Sequence, residues 1–553
     1  MKADVSKILS RSCLIVCSFW LPDGAAVTAE DFPTFVRSKS ATAMKKVVEE
    51  AAANSMIPSD IQVKVTRLGP RFDCQFQPNG SKTSWLIIMN APLATMSKRD
   101  KEYSEQGYFR AIERQTTFQG ATYFTVVWHK KPEQKIPLEL PAEPIPKTGA
   151  DDNRLKPLDD FATEFLKQHN AAGMTIAVAK DGRMVYSKGF GYSDVTSREP
   201  MQPDSAMRIA SISKPLTSVA LLKMVERRKL SLDEPIMPLL ESKRYRVAAS
   251  GDERWNDVTA RQLLQHSGGW DRDVSPDPMF QVVEITLARK LRRPARQTDI
   301  LKYQLTKPLD FSPGERYAYS NFGYSVAGRV MEIVGESKYE ALVKELVLDP
   351  CGMTKTKLGR TRLEHRSEGE VRYHMQTSEF FTPFWATPAK GRAGTRPIIH
   401  PSVEEPYGRW DLEVMDAHGG WISTAPDLLR FAIGLDAADN PLLAESSREA
   451  LVQRPEYSNE DKSVWYGMGW QIRRTHFDGA ALLQNYNMWH SGALAGTSTL
   501  LVRRSDGFAW AILFNTDLST TGDRLAGLID SQMHRAIEIV DAWPDHNLFE
   551  PTK

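Results

Sequence analysis

The strand-forming segments in the larger part of this chain sit at its two ends, with a long helical stretch between them. TIAVAKDGRMVYSKGFGY reads as a hairpin turning at Asp181-Gly182, a dipeptide that two-residue hairpin loops favour. An amphipathic helix at Leu155–Asn170 precedes it. A largely helical stretch follows, and strands resume only at Gly469–Arg473. Thr497–Arg503 and Phe508–Asn515 form a second hairpin around Ser505-Asp506-Gly507, and a closing helix spans about Gly522–Ala542. Strands this far apart share a sheet only if the chain returns to where it began. The expected fold class is therefore α+β: one antiparallel sheet flanked by the terminal helices, with a helical subdomain inserted. The cleft between sheet and subdomain is the expected place for a site.

Three short motifs lie in the inserted and returning parts. Ser211-Ile212-Ser213-Lys214 stands at the start of a helical run, with Pro215 tolerated in a first turn. Residues three apart share a helix face, about 5–6 Å between Cβ atoms, so Lys214 reaches back to the Ser211 hydroxyl. A serine hydroxyl is a poor nucleophile until a base takes its proton. A lysine is that base only where burial or a nearby cation lowers its pKa. Taken alone, the first motif also describes a serine N-cap and a solvated lysine. Tyr319-Ser320-Asn321 and, near the end, His490-Ser491-Gly492 follow in order. Together the three read as a serine hydrolase that needs neither a metal nor an Asp-His pair.

These motifs resemble those of class C β-lactamases and their relatives: D-alanyl-D-alanine carboxypeptidases, β-lactamase-related esterases and LACTB-type proteases. The flanks agree. VTARQLLQHSGGW (Val258–Trp270), VLDPCGMTKTKLG (Val347–Gly359) and HGGWISTAPDLLRF (His418–Phe431) resemble family segments in the right order. The resemblance implies a β-lactamase/transpeptidase-like fold over residues 154–545. It implies an acyl-enzyme on Ser211, with Lys214 and Tyr319 sharing the proton transfers. Backbone N–H groups of Ser211 and Ala493, just after Gly492, would form the oxyanion hole. Asn321 would hold Lys214 and a substrate amide, and His490 would orient Tyr319 or the substrate. The family's β-lactamases carry K-T-G where this chain has His490-Ser491-Gly492. A neutral imidazole holds a carboxylate less well than a lysine does. An esterase or peptidase is thus the leading expectation. A D-Ala-D-Ala carboxypeptidase, a β-lactamase or endopeptidase, and an inactive scaffold used for binding are the alternatives.

At 553 residues the chain exceeds what one core usually supports. Glu133–Asn153, with Pro137, Pro141, Pro144 and Pro146, reads as a linker spanning 133–153. Residues 30–132 before it read as a small α+β domain of two diverged copies, each a helix followed by a β-hairpin. The second copy resembles the bacterial tandem-repeat module of polyglycine hydrolases, which allows a cell-wall or polymer contact; a small α+β domain with no activity is the alternative, and the favoured one. Residues 1–29 pair a basic start with the short apolar run Cys13–Leu21 and the small residues Val27-Thr28-Ala29, the pattern of a signal peptide. A secreted or periplasmic protein is expected from it; a buried strand is the alternative for that run. A net charge of +2 leaves no bulk footprint for nucleic acid. No stretch approaches a membrane span. No C-x-x-C or H-E-x-x-H occurs, so neither metal nor cofactor is expected, only a small-molecule or peptide substrate. The aromatic cluster Phe380, Phe381, Phe384 and Trp385 is expected to pack an insertion near the cleft.

Overall fold

The computed structural model describes residues 16–18 and 33–550, apart from 55, 68, 80–83, 106–107, 131–135, 242–250, 292, 382, 387–402, 459–461, 477–478 and 480. The chain divides into two compact units, one of Met1–Lys135 with Gly391–Pro401, the other of Ile136–Lys390 with Ser402–Lys553.

The larger unit is built on one antiparallel sheet to which both ends of the unit contribute. Its strands are β1 (Lys147–Thr148), β2 (Gly173–Lys180), β3 (Arg183–Asp194), β4 (Val464–Tyr466), β5 (Gln471–Arg474), β6 (Tyr486–Leu494), β7 (Thr497–Arg503) and β8 (Phe508–Phe514). They lie in the order β3-β2-β8-β7-β6-β5-β4, and β1 and a ninth short strand, Glu199–Pro200, both pair with the outer side of β3. The expected return of the chain is the β2–β8 pairing, Ile176 opposite Ile512 and Ala177 opposite Ala511. Asp181 and Gly182 both take positive φ, 49° and 79°, as a tight hairpin turn between β2 and β3 requires.

Both faces of this sheet are covered, and its central strands are apolar on both sides for that reason. Ile176, Val178, Ile512 and Phe514 pack with the terminal helices α1 (Lys156–His169) and α5 (Leu525–Glu538). Helix α1 buries Leu158, Ala162, Phe165 and Leu166, a single stripe at helical spacing. On the other face, Ala177, Ala179, Ala509 and Ala511 join the core of the helical subdomain. These small side chains leave room for α4 (Ala425–Gly434), which lies against β2 and β8. Within the subdomain, α2 (Ser213–Glu226) is buried nearly all round and α3 (Asn321–Val334) along most of its length. Each fully buried Ile, Leu or Phe contributes about 1.5–3 kcal/mol, and the nearly continuous burial packs α2 tightly behind the site.

The segment read as a linker does more than connect. Ile136–Pro137 pairs with Thr377–Ser378, and Lys147–Thr148 pairs with Gly189 and Phe190 of β3. The Gly191 N–H donates to the Pro146 carbonyl, and Lys188 reaches Asp151 at 2.5 Å. Residues 136–153 therefore belong to the larger unit. The spaced prolines keep them extended, and extended backbone is what a sheet edge accepts. The unit also continues beyond residue 545: the Leu548 N–H donates to the Met184 carbonyl, and Leu548 and Phe549 pack on the core. Phe384 and Trp385 meet edge to face at 5.0 Å, with the Arg362 guanidinium 4.3 Å over Trp385, so these two rings do pack the insertion.

The smaller unit repeats one design. Helix Ala41–Ala53 precedes strands Met56–Thr66 and Gly69–Pro78; helix Leu93–Glu105 precedes strands Tyr108–Phe118 and Ala121–Lys130. The helices have 13 residues each, the first strands 11 and the second strands 10. Each hairpin gains a strand from the preceding chain, Phe35–Lys39 in one sheet and Ser84–Pro92 in the other. Most of the signal-peptide segment 1–29 lies outside the described residues. Val16–Ser18 within it pairs antiparallel with Leu86–Ile88, the arrangement of the strand alternative. No helix among the described residues is long and apolar enough to cross a membrane.

Candidate active site

Ser211 lies in a 3-10 turn, Ala210–Ile212, immediately before α2, so Lys214 rather than Ser211 occupies the first turn of the α-helix. Ala210 holds a positive φ of 46°, a conformation that costs an alanine and turns the nucleophile out of the helical path. Lys214 Nζ lies 3.1 Å from Ser211 Oγ, and the Tyr319 hydroxyl lies 2.8 Å from the same oxygen. The serine, lysine and tyrosine singled out in the sequence thus meet at one atom.

The remaining contacts of Lys214 define its state. Nζ reaches Asn321 Oδ1 at 2.8 Å and the His418 carbonyl at 2.9 Å. Burial holds the Lys214 ammonium well below the ordinary lysine range; the Asp277 carboxylate opposes that shift and Arg272 reinforces it. A neutral amine has two N–H groups and one lone pair. Both oxygens can only accept, so each receives an N–H of Lys214, and in the neutral form that the lowered pKa favours the lone pair is left for Ser211. Asn321 opens α3, where Ser320 caps the helix by accepting from the Gly323 N–H at 3.1 Å. The Asn321 amide nitrogen donates to Asp277 Oδ2 at 2.7 Å. A carboxylate accepts and never donates when ionised, so Asp277 fixes which end of the amide faces Lys214. Burial pushes the Tyr319 phenol up, the Ser211 hydrogen bond opposing, so Tyr319 carries its proton.

β6 supplies the other wall. Its pairing with β5 ends at Trp489, so from His490 onward one backbone edge of β6 is free of the sheet. Gly492 lies against the nucleophile turn there: a Cβ on it would stand 2.2 Å from the Ile209 carbonyl oxygen and 3.1 Å from Ser211 N. Ala493 is the next residue on that edge and pairs with Ser498. His490 is buried, and both its ring nitrogens are engaged. Nδ1 lies 2.7 Å from the Ser491 carbonyl, which makes it the protonated nitrogen, and Nε2 accepts from the Tyr466 hydroxyl at 2.9 Å. Burial lowers the imidazole pKa to about 3, the nearby Lys214 adding to it. His490 is therefore a neutral wall residue held by Tyr466. Of the expected roles, orienting Tyr319 or the substrate, the first finds no hydrogen bond among the described residues.

The sequence model of the family described as Beta-lactamase matches residues 158–532, more than half of the chain. The chain belongs to the beta-lactamase family. Its similarity to "Penicillin-binding protein 4*" of Bacillus subtilis (strain 168) is 25% identity, covering 64% of this chain and 70% of that protein. With the human "Serine beta-lactamase-like protein LACTB, mitochondrial" it is 24% identical over 66% of this chain and 74% of the other. Among solved structures, the hydrolase EstCE1 superposes with a TM-score of 0.52 at 18% identity, covering 69% of this chain and 98% of its own. The octameric penicillin-binding protein homologue from Pyrococcus abyssi gives 0.50 at 23% identity, covering 69% and 77%. These superpositions confirm the β-lactamase/transpeptidase-like fold, and this member of the beta-lactamase family is a serine hydrolase.

Two groups of this beta-lactamase family member escaped the sequence reading. His266 lies in the quoted segment Val258–Trp270, where no role was assigned to it. Its Nδ1 accepts the Ser320 N–H at 3.1 Å, and its ring lies 4.3 Å from that of Tyr319. It therefore fixes the turn that presents Tyr319. Asp277 belongs to no motif at all. Neither shows a spacing signal, because each acts on a residue that only folding brings near.

Proposed function

We propose that this protein is a secreted hydrolase that cleaves an ester or amide bond through an acyl-enzyme on Ser211. The observation that carries the reading is the pair of contacts on Ser211 Oγ, from Lys214 at 3.1 Å and Tyr319 at 2.8 Å. Neutral Lys214 takes the Ser211 proton as Oγ bonds to the substrate carbonyl carbon. The carbonyl oxygen becomes an oxyanion that Ser211 N–H and Ala493 N–H receive, each such donor contributing about 2.7–4 kcal/mol. Tyr319, still protonated, gives its proton to the leaving oxygen or nitrogen as that bond breaks, and Lys214 restores it. Water then attacks the acyl-enzyme, its proton passes to the Lys214–Tyr319 pair, and Ser211 regains its own. The neutral His490 wall gives no fixed charge to a substrate carboxylate on the β6 side. This supports an esterase or amidase preference over penicillin turnover there.

The amino-terminal features extend the proposal. The leader pattern of residues 1–29 would carry the chain out of the cytoplasm, and the duplicated small unit would contact a cell-wall or other polymer. Intact-mass analysis tests the core reading. The full chain treated with a fluorophosphonate should gain one adduct mapping to Ser211, and Ser211→Ala should gain none. An adduct elsewhere, or ester turnover that survives Ser211→Ala, refutes it. Rapid turnover of benzylpenicillin would move the protein to a β-lactamase.

A further inference from the structure

The cleft beside Tyr319 is walled by the segment that follows Trp270, and it is lined by Trp270, Arg272, Pro276, Asp277 and Tyr319. The carboxylates of this wall are already engaged. Asp271 accepts from Arg316 at 2.7 Å, Asp277 accepts from Asn321 and the Met279 N–H, and Asp310 accepts from Ser275 and the Asp271 N–H. Asp273 points into solvent, exposed. Arg272, exposed in the middle of them, forms no ion pair among the described residues. Its guanidinium instead lies 5.0 Å from the centroid of the Tyr319 ring. That places a permanent cation at the mouth of the site, against the ring of the residue that protonates the leaving group. The other two basic side chains of the site are buried and held by internal partners: Lys214 by Asn321 and the His418 carbonyl, His490 by Tyr466 and the Ser491 carbonyl.

We infer that Arg272 selects substrates bearing a negatively charged group, a carboxylate or comparable anion, and holds that group at the Tyr319 side of the cleft. The inference rests on the Ser211 hydrolase reading and adds its substrate class. A guanidinium presents five N–H donors in a planar fork that matches a carboxylate, and it leaves a ring face readily for such a partner. The charge requirement belongs to this wall and not to β6, where His490 cannot meet it. An anion on the substrate would thus be read opposite the place where the family's K-T-G lysine stands.

The test uses two esters of equal length and one leaving group, p-nitrophenyl butyrate and mono-p-nitrophenyl succinate, which differ in a terminal methyl against a carboxylate. A second pair, phenyl butyrate and 4-(butyryloxy)benzoate, puts the charge on the leaving group. For the pair whose charge reaches Arg272, the ratio of kcat/KM, anionic over neutral, should fall about ten- to a hundredfold in Arg272→Gln. The change should lie mainly in KM, and Arg272→Lys should recover part of it. Fluorophosphonate labelling of Ser211 should be slowed by benzoate more than by benzamide, and Arg272→Gln should abolish that difference. A ratio unchanged within twofold in both pairs, with neutral esters still hydrolysed through Ser211, overturns the role of Arg272 and leaves the hydrolase reading intact. Absence of both hydrolysis and Ser211 labelling in the natural protein overturns both.

Discussion

Gly492 is the position where one methyl group should separate folding from catalysis. A Cβ there would stand 2.2 Å from the Ile209 carbonyl oxygen and 2.4 Å from Thr499 Oγ1. Neither neighbour yields easily. One is backbone, and the Thr499 hydroxyl is itself bonded to the Ile209 carbonyl at 3.1 Å. To reach ordinary contact, β6 and the Ala210–Ile212 turn must part by roughly 1 Å, the scale at which misplaced reacting groups lose about a hundredfold in rate. The strain itself should cost about 1–3 kcal/mol of stability. Parting the two also separates Ser211 N from Ala493 N, the proposed oxyanion donors, and loss of one such donor lowers kcat about 10²–10³-fold. Gly492→Ala should therefore fold with a slightly lowered Tm and lose kcat by about that factor on p-nitrophenyl butyrate, with KM changed far less. Gly527→Ala is the control, since nothing lies within 4 Å of its Cβ and it is exposed on the outer side of α5. It should keep full activity and match or exceed the natural stability. A Gly492→Ala protein with kcat within threefold of the natural one would refute the packing of β6 against the nucleophile turn as the basis of the oxyanion site.

The Lys214–Tyr319 pair should behave as one proton-transfer unit: Lys214→Ala and Tyr319→Phe each lower kcat by several orders of magnitude, the double variant little further, and multiplied losses would refute the shared path. Lys214 must be neutral to act, so activity rises as pH climbs through its lowered pKa. Asp277 opposes that lowering, so Asp277→Asn should move the acid limb of the kcat/KM profile to lower pH, and a limb that stays in place or moves up contradicts the Asp277–Asn321–Lys214 geometry. A chain starting at Ile136 should melt higher than one starting at Ala150, which loses the strand pairs of residues 136–148, with about 0.5–1.5 kcal/mol for each backbone hydrogen bond; equal melting temperatures would return that segment to a plain linker. If the leader pattern of residues 1–29 is cleaved as proposed, amino-terminal sequencing of the protein made in its natural host should begin near Glu30, and a chain that retains Cys13–Leu21 would assign that run to the edge strand at Val16–Ser18.

The amino-acid sequence by itself determined what depends on short spacing and local pattern. Apolar periodicity places α1, the β2–β3 hairpin, the β7–β8 hairpin and α5. Their split order implies one sheet closed by the return of the chain, and Ile176 opposite Ile512 is that closure. The three-residue step from Ser211 to Lys214 puts base beside nucleophile, and the two helix-hairpin copies of the smaller unit follow from pattern alone. Tertiary structure decided whatever needs a partner from a distant segment or the absence of water. Tyr319 reaches Ser211 across 108 positions of sequence. Burial, which no spacing encodes, lowers the Lys214 pKa well below the ordinary lysine range and makes His490 a neutral imidazole. Asp277 orients Asn321, and the Tyr466 hydroxyl donates to His490 Nε2. The prolines of residues 137–146 look the same in a free linker and in an arm along a sheet, because extended backbone serves both; only the open edges of β3 and of Thr377–Ser378 settle that they form the arm.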